Sequence, residues 1–580
     1  MTTAEDPRFR RSAPAPGLPP HATNYGAVNG GSSAGGDASG GGASAEQGAF
    51  AAGASPYALP GQRTAQGRPA LTVEPGGGSG AKGHDSEHRP LDLAGVGIGP
   101  ANLSLAALAD GVPGLRAACY EQRAGFAWHP GMLIEGATLQ VPFLADLVTL
   151  ADPASRWSFL SYLKAQDRLF PFYFGERFHI ERTEYDAYCR WVCEGLATAG
   201  PRAVGGPGKG RGGARGSAAG PGLHFGHRVD AVRWHPGLRL FELDFTRTDA
   251  DAASQQGRSY ARNLVLGVGT APYVPEPLRA LAASTGAGAP VVHSAGYLEQ
   301  RERLLAAGHV TVVGSGQSGA EVFLDLLRNR PAGREGLHWI TRSGAFAPME
   351  YSKLGLEHFT PDYTRYFHGL RQSVRDELVP RQWQLHKAVD HGTLAAIHDE
   401  LYHRTLGGGW PDAVITPGVA VRTAGRVGAT RVELHLEQAE QDVRTRLVTD
   451  AVVLATGYRE RPLDGVLASL EPWLARDDAE RLRIDEHYRL VMDPSVRGAV
   501  YVQNAERHTH GVGAPDLGLV AHRSAVILNS LTGEEHYRLP RRTAFTTFGL
   551  RPEGALAAGT PGVAEQADRR HEGFRPLRMS

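Results

Sequence analysis

LDLAGVGIGPANLSLAA, residues 91–107, is the stretch from which the rest of the chain is read. An apolar run gives way to Gly95, Gly97 and Gly99, and a segment rich in leucine and alanine follows. This is the order strand, glycine turn, helix. The glycines let the backbone turn tightly and let a pyrophosphate approach without meeting a Cβ, and the helix aims free N–H groups at it. Asn102 stands where the third glycine of G-x-G-x-x-G usually packs helix on strand. A short apolar run from Leu115 to Tyr120 ends on Glu121, the expected place for an acid that hydrogen-bonds a ribose hydroxyl. Gly97, Gly99, Pro100, Asn102 and Glu121 are therefore expected to bind a dinucleotide.

A second turn lies in HVTVVGSGQSGAEVFLDLLR, residues 309–328, where Gly314, Gly316 and Gly319 complete an intact fingerprint around Gln317 and Ser318. The strand expected over 337–341 ends on Arg342 and Ser343 instead of an acid. An arginine there attracts a 2′-phosphate and stacks on adenine, so this half reads as an NADPH site and the first half, with Gly97, Gly99, Pro100, Asn102 and Glu121, as an FAD site; taken alone, Arg342 reads equally well as a surface charge. LVLGVGTAPYVP at 264–275 and AVVLATGYRERP at 451–462 are apolar strands that break at glycine, which places backbone, and Tyr458, beside a cofactor. The expected fold is α/β, two Rossmann-like domains (FAD and NADPH) with a small helical substrate region.

Composition excludes several classes. Lys+Arg and Asp+Glu balance at 61 each, which gives no reason to expect nucleic acid or an anionic membrane as partner. No run of about eighteen apolar residues exists, so no membrane span is expected. Arg8, Arg10 and Arg11 precede Pro, Gly and Ala, not the apolar core of a twin-arginine signal. Three cysteines suit a reducing cytoplasm; Cys189 and Cys193 fall on the helical segment EYDAYCRWVCEGL and read as core thiols, not a redox pair. No metal-ligand spacing of Cys and His occurs, and GSGQSG is a phosphate turn, not a nucleophile elbow. Chemistry carried by the flavin remains.

Residues 1–86 read as a disordered Gly/Ala/Ser-rich tail, 197–221 as an exposed loop insertion and 541–580 as a second tail. The FAD domain is expected over 90–300 and 447–539, with the NADPH domain at 301–446 carrying a helical insertion at 345–410. The insertion's aromatics (Phe346, Tyr351, Phe359, Tyr363, Tyr366, Phe367) read as core and subunit contacts.

These segments match a known family. GIGPANLSLA (97–106), WHPGM (128–132), LQVPFLADLVTLADP (139–153), SFLSYL (158–163), EYDAYCRW (184–191), GSGQSGAEVF (314–323), LATGY (454–458) and THGVGAPDLGLVAHRSA (509–525) occur in this order. Together they resemble the flavin-dependent N-hydroxylating monooxygenases of siderophore biosynthesis, the lysine/ornithine N-monooxygenase family. The F-x-G-x-x-x-H stretch of flavin-containing and Baeyer–Villiger relatives is missing from GAGAPVVHSAGY. The resemblance implies that NADPH reduces FAD and that a C4a-hydroperoxide formed with O₂ is attacked by a primary amine. It implies that Trp128, His129 and Gln140 lie along the flavin, that Gln317 and Ser318 hold the NADP pyrophosphate, and that His510 and Leu517 close the isoalloxazine side. It also implies a homo-oligomer.

The substrate expectation comes from a departure. Amino-acid hydroxylases of the family carry a lysine after FL, which pairs with the substrate carboxylate; here that position is Ala145. The Asn of their FVNE segment is matched by Leu356 in YSKLGLEHFTP. A buried carboxylate without partners costs several kcal/mol, so a diamine, putrescine or cadaverine, is expected. Asp390, Glu350 or Glu357 would hold its far ammonium. The alternative is an L-lysine or L-ornithine hydroxylase whose carboxylate site has moved, for example to Lys353; a flavoprotein that is silent or only oxidises NADPH is the third reading.

Overall fold

The computed structural model describes residues 87–198, 220–248, 256–284 and 288–550. The expectations for 1–86, for most of 197–221 and for 551–580 lie outside the described residues.

LDLAGV forms β1 (Leu91–Val96), almost wholly buried because neighbours cover both faces of a parallel strand. It pairs in parallel with β2 (Ala117–Glu121), and β2 with β3 (Gly222–Phe225). β4 (His227–His235), β5 (Leu240–Arg247) and β6 (Gln256–Leu266) form an antiparallel meander whose last strand returns to pair with β1. The sheet order is β3-β2-β1-β6-β5-β4.

After β7 (Thr270–Pro272) the chain enters a second, all-parallel sheet made of β8 (Val291–His293), β9 (Val310–Val313), β10 (Leu337–Ile340) and β11 (Ala413–Thr416). A separate antiparallel meander follows, β12 (Val419–Val427), β13 (Arg431–Gln438) and β14 (Val443–Thr449). β15 (Ala451–Leu454) then inserts between β8 and β9. β16 (Tyr458–Glu460) pairs with β7, so the outgoing and returning crossings lie side by side. β17 (Val500–Val502) rejoins the first sheet against β6.

The pairing moves the domain boundaries expected at 300 and 447. β8 and β15 belong to the second sheet, which therefore runs from 291 to 454. Runs such as VVH and AVVL suit either sheet, and only strand pairing assigns them. Neither meander carried a sequence signal strong enough to be expected.

The insertion holds helices Pro361–His368, Gln372–Arg381 and His391–His403. Of its aromatics, Phe346 packs 4.1 Å from Trp339, and Tyr363 and Phe367 are buried. The C-terminal expectation needs correction over 541–550, where the chain lies on this insertion through side-chain and backbone hydrogen bonds that leave no helical or strand periodicity. Cys119, Cys189 and Cys193 are free and buried. Among the described residues no helix is long and apolar enough to cross a membrane, and no group of His, Cys, Asp and Glu is placed to hold a metal ion.

Candidate functional site

Each glycine turn opens a helix that has no side-chain cap: Pro100–Ala109 begins at Gly99 and Gln317–Asn329 at Gly316. The uncapped first-turn N–H groups leave an anion site at each. At Gly97 φ is +91° and a Cβ would stand 2.5 Å from the Gly267 carbonyl oxygen; at Gly314 φ is +128° and it would stand 2.2 Å from that of Ala455. Neither position admits another residue without moving backbone.

Asn102 does not face outward as a ligand contact. It is buried, donates from Nδ2 to the Val96 and Gly97 carbonyls (3.1 and 2.8 Å), and accepts from Gln503 Nε2 at 2.9 Å. Its side chain thus does the packing that the third glycine usually does, and ties the turn to the segment after β17. Glu121 closes the same turn by accepting from Ile98 N at 3.0 Å. Beyond β17, Gln503 Oε1 and Asn504 Oδ1 are buried without a hydrogen-bond partner among the described residues, and Asn504 is left-handed with φ 64°. Orphaned acceptors beside an open helix N-terminus fit a dinucleotide with N–H and O–H donors, such as FAD.

Trp128 and His129 sit where the first sheet meets the second. Trp128 N donates to Asp186 and its ring packs 5.0 Å from Tyr185. His129 takes φ 48° and ψ 52° and lies edge-on to Tyr458, which meets His293 as well. Burial, then the Arg182 and Arg123 charges, push His129 down to about 4, so its imidazole is neutral at pH 7. Gln140 donates to the Thr138 carbonyl at 2.9 Å and accepts from Arg182 at 3.5 Å. His510 is buried and stacked 4.3 Å from Tyr488; burial and the charges of His368 and Arg523 hold it far below its ordinary value. Leu517 opens the 3-10 turn Leu517–Leu519.

A buried network joins the two domains, and nothing in the sequence spacing pointed to it. Arg182 makes a bidentate pair with Glu321 on the second turn's helix, 2.7 Å on each arm. Gln317 Nε2 donates to Glu321 (2.8 Å) and to Thr393 Oγ1 (3.0 Å), and Gln317 Oε1 accepts from Asp390 N (2.7 Å). Gln317 is therefore held by side-chain bonds, while Ser318 lies in the same first turn. Arg342 is exposed at the end of β10, with Ser343 bonded to Ser315 of the turn (3.1 Å).

The substrate residues divide. Ala145 is buried, Leu356 is 39% exposed on the 3-10 turn Gly355–Phe359, and Lys353 is exposed. The carboxylates expected to meet an ammonium each accept backbone N–H groups of the chain itself. Asp390 caps helix His391–His403 by accepting from Thr393 N at 2.8 Å; Glu350 accepts from Ser352 N at 2.6 Å; Glu357 accepts from Phe545 N and Thr546 N. Short polar turns compete for carboxylates, and spacing alone does not reveal this. Asp516, which no spacing in the sequence singles out, is a further carboxyl that burial perturbs. Its Oδ1 accepts from Gly518 N at 2.7 Å, and burial pushes it up to about 6 against that bond and the Arg523 charge. Its charge, with that of Asp390, also reaches Tyr351, whose hydroxyl is buried and without a partner among the described residues.

Comparison with known proteins agrees with this fold. The family model described as L-lysine 6-monooxygenase/L-ornithine 5-monooxygenase matches residues 89–199 and 218–460. The chain is 41% identical over 469 residues to the rhizobactin siderophore biosynthesis protein RhbE of Rhizobium meliloti, covering 79% of this chain and 95% of that protein. It is 37% identical to a putrescine N-hydroxylase of Shewanella oneidensis, covering 79% of this chain and 84% of that one. Among solved structures it is similar to DfoA, a cadaverine monooxygenase of desferrioxamine biosynthesis from Erwinia amylovora bound to FAD. The TM-score is 0.70 and the identity 36%, over 80% of this chain and 99% of that one.

Proposed function

The chain belongs to the L-lysine 6-monooxygenase/L-ornithine 5-monooxygenase family, and on that premise we propose that it N-hydroxylates one primary amine of an aliphatic diamine, putrescine or cadaverine, for hydroxamate siderophore biosynthesis. The carrying observation is Ala145: a buried methyl group stands where a carboxylate-binding cation would be, and Leu356 replaces the amide. Relatives named for putrescine and cadaverine support the diamine branch. FAD reduced by NADPH supplies activation of O₂ and transfer of one oxygen atom to the amine.

The protein's own part is binding and exclusion of water. The first turn, with Glu121, holds FAD, and the second, with Gln317, Ser318 and Arg342, holds NADPH. A free aliphatic amine is mostly protonated at pH 7, and a dry site disfavours that charge. The neutral imidazoles of His129 and His510 add no second cation there. Glu350, Glu357, Asp390 and Asp516 all accept backbone N–H groups, and among them we assign the far ammonium to Asp516, the one whose carboxyl burial pushes up and whose charged form a facing ammonium would favour. The buried thiols suit a reducing cytoplasm.

The expected homo-oligomer is supported by helix Leu169–Gly175, none of whose residues is buried. Phe170, Tyr173, Phe174 and Phe178 are 53–75% exposed. Together they lay out on the order of 500 Å² of apolar surface, most of the ~800 Å² that one side of a stable interface needs. Light scattering of wild type and of Phe170→Glu/Phe174→Glu decides it: an unchanged mass dismisses this face.

The test of function is hydroxylamine yield with putrescine, cadaverine, L-lysine and L-ornithine under NADPH and O₂. Product from a diamine alone is expected, and Asp516→Asn raises its KM about tenfold, the loss of one charge-assisted contact. Product only from the amino acids overturns the diamine assignment and leaves the family intact. NADPH loss with peroxide and no hydroxylamine from any of the four overturns N-hydroxylation of these amines.

A further inference from the structure

The last stretch of described chain crosses from one part of the molecule to another. After helix Val520–Thr532, Tyr537 N donates to Asn529 Oδ1 (3.0 Å) and Asn529 Nδ2 donates back to Tyr537 O (2.7 Å), which fixes that point to the FAD-type domain. Beyond it the chain reaches the helical insertion. Phe545 N and Thr546 N donate to the two oxygens of Glu357, at 2.9 and 2.7 Å. Thr543 Oγ1 and Ala544 N donate to Asp362 Oδ2, at 2.8 and 2.9 Å, and Asp362 N donates back to Thr543 Oγ1. Phe548 sets its ring 4.9 Å from Tyr363 and 5.5 Å from His358. A Cβ on Gly549, at φ +81°, would meet the Tyr366 ring at 2.9 Å. Phe545 and Leu550 point to solvent, so the segment is held by chosen contacts and not by general burial.

What it holds bears on the site. Glu357 follows Leu356 in the 3-10 turn Gly355–Phe359, and Asp362 lies in the first turn of helix Pro361–His368. Phe367 of that helix lies against Gly511, where a Cβ would meet its ring at 3.0 Å, and His368 lies 5.2 Å from His510. One continuous set of contacts therefore runs from 543–549 through helix Pro361–His368 to the His510 turn, and the same segment holds the turn bearing Leu356 through Glu357.

We propose that residues 543–549 are a positioning strap that docks on Glu357, Asp362 and Tyr363 and fixes the Leu356 turn over the amine site, thereby setting amine affinity and the fraction of NADPH that ends as hydroxylamine. The proposal rests on the assignment of Leu356 to the substrate region. The strap touches no reacting atom: its residues act through the turn. Docking also depends on acid. The Thr546 contact and the Phe545 and Thr546 N–H groups, helped by the Arg542 charge, hold the Glu357 carboxyl below the usual range; at Asp362 burial opposes the Thr543 and Ala544 contacts and the charge of Arg365, which lies on the same helix, without overcoming them. Carboxyls lowered by docking favour it at neutral pH, and that contribution is lost as pH falls through their lowered values.

The test compares the full-length FAD-loaded enzyme, a chain ended at Leu550, a chain ended at Pro540, Phe548→Ala, and Phe548→Tyr as the conservative rescue. Two readouts run in parallel: hydrogen exchange over 355–368, and KM, kcat and hydroxylamine per NADPH with the best amine of the panel. The expected result is that ending at Pro540 or Phe548→Ala speeds exchange over 355–368 about tenfold and raises amine KM about tenfold with lower coupling. NADPH oxidation without amine stays within about twofold, and Phe548→Tyr and the chain ended at Leu550 behave as the full chain. Unchanged exchange overturns docking. Faster exchange with unchanged KM and coupling overturns the role in positioning. Should no amine be hydroxylated even by the full chain, the functional reading falls and the exchange result still decides whether the strap docks.

Discussion

The two glycine turns do the same job with different parts. In the second, Gly319 itself fills the third position, and a Cβ there would stand 2.5 Å from the Gly314 carbonyl oxygen. Trp339 Nε1 anchors that turn by donating to Gly314 O at 2.7 Å. In the first, Asn102 fills the third position with three side-chain hydrogen bonds, and the glycine requirement moves to Gly267, whose Cβ would stand 2.7 Å from the Asn102 amide. The fingerprint is thus a volume constraint shared across the sheet, and a departure at one position is answered by a glycine at another.

Substitution at the turns themselves separates the two halves most sharply. Gly97→Ala is expected to yield protein without yellow colour. Gly314→Ala is expected to keep the flavin spectrum but lose NADPH-driven flavin reduction about a hundredfold or more, because each new Cβ meets backbone that cannot move aside. Equal flavin content in the two variants would erase the distinction. Next in size is the interdomain pair. Glu321→Ala leaves Arg182 buried without its carboxylate and is expected to lower unfolding stability by about 3–5 kcal/mol, measured in urea; a loss under about 1 kcal/mol would show that water replaces the pair.

Asn102→Gly restores the fingerprint on paper yet is expected to destabilise, by about 1–3 kcal/mol for each polar group left unpaired, and to weaken FAD retention on dilution. A gain in stability would show that the asparagine network adds nothing beyond the usual glycine packing. The smallest effect belongs to Arg342, exposed at its strand end. Arg342→Ser is expected to shift the ratio of kcat/KM for NADPH over NADH by about tenfold toward NADH; an unchanged ratio would return Arg342 to a surface charge.

Strand β9 and helix Gln317–Asn329 lie where the periodicity of HVTVVGSGQSGAEVFLDLLR placed them, since apolar strands and glycine-opened helices are written in local sequence. The meanders were less legible: β12 and β14 are largely exposed, so little apolar alternation marks them. At the candidate site, positions within motifs stood out in the sequence, and positions defined by partnership did not. Glu350, Glu357 and Asp390 looked alike as free carboxylates, and only their N–H partners tell them apart.

The sequence alone determined the fold class, the order of the two dinucleotide turns and the absence of a cation at Ala145, because these depend on residue type and spacing along a short stretch. The tertiary structure decided what depends on contacts between distant residues: the membership of β8 and β15, the Arg182–Glu321 bridge between domains, and the docking of 543–549 on Glu357. A hydrogen bond formed across 139 or 188 residues leaves no periodic trace in either segment, so folding has to bring its two ends together before it can be seen.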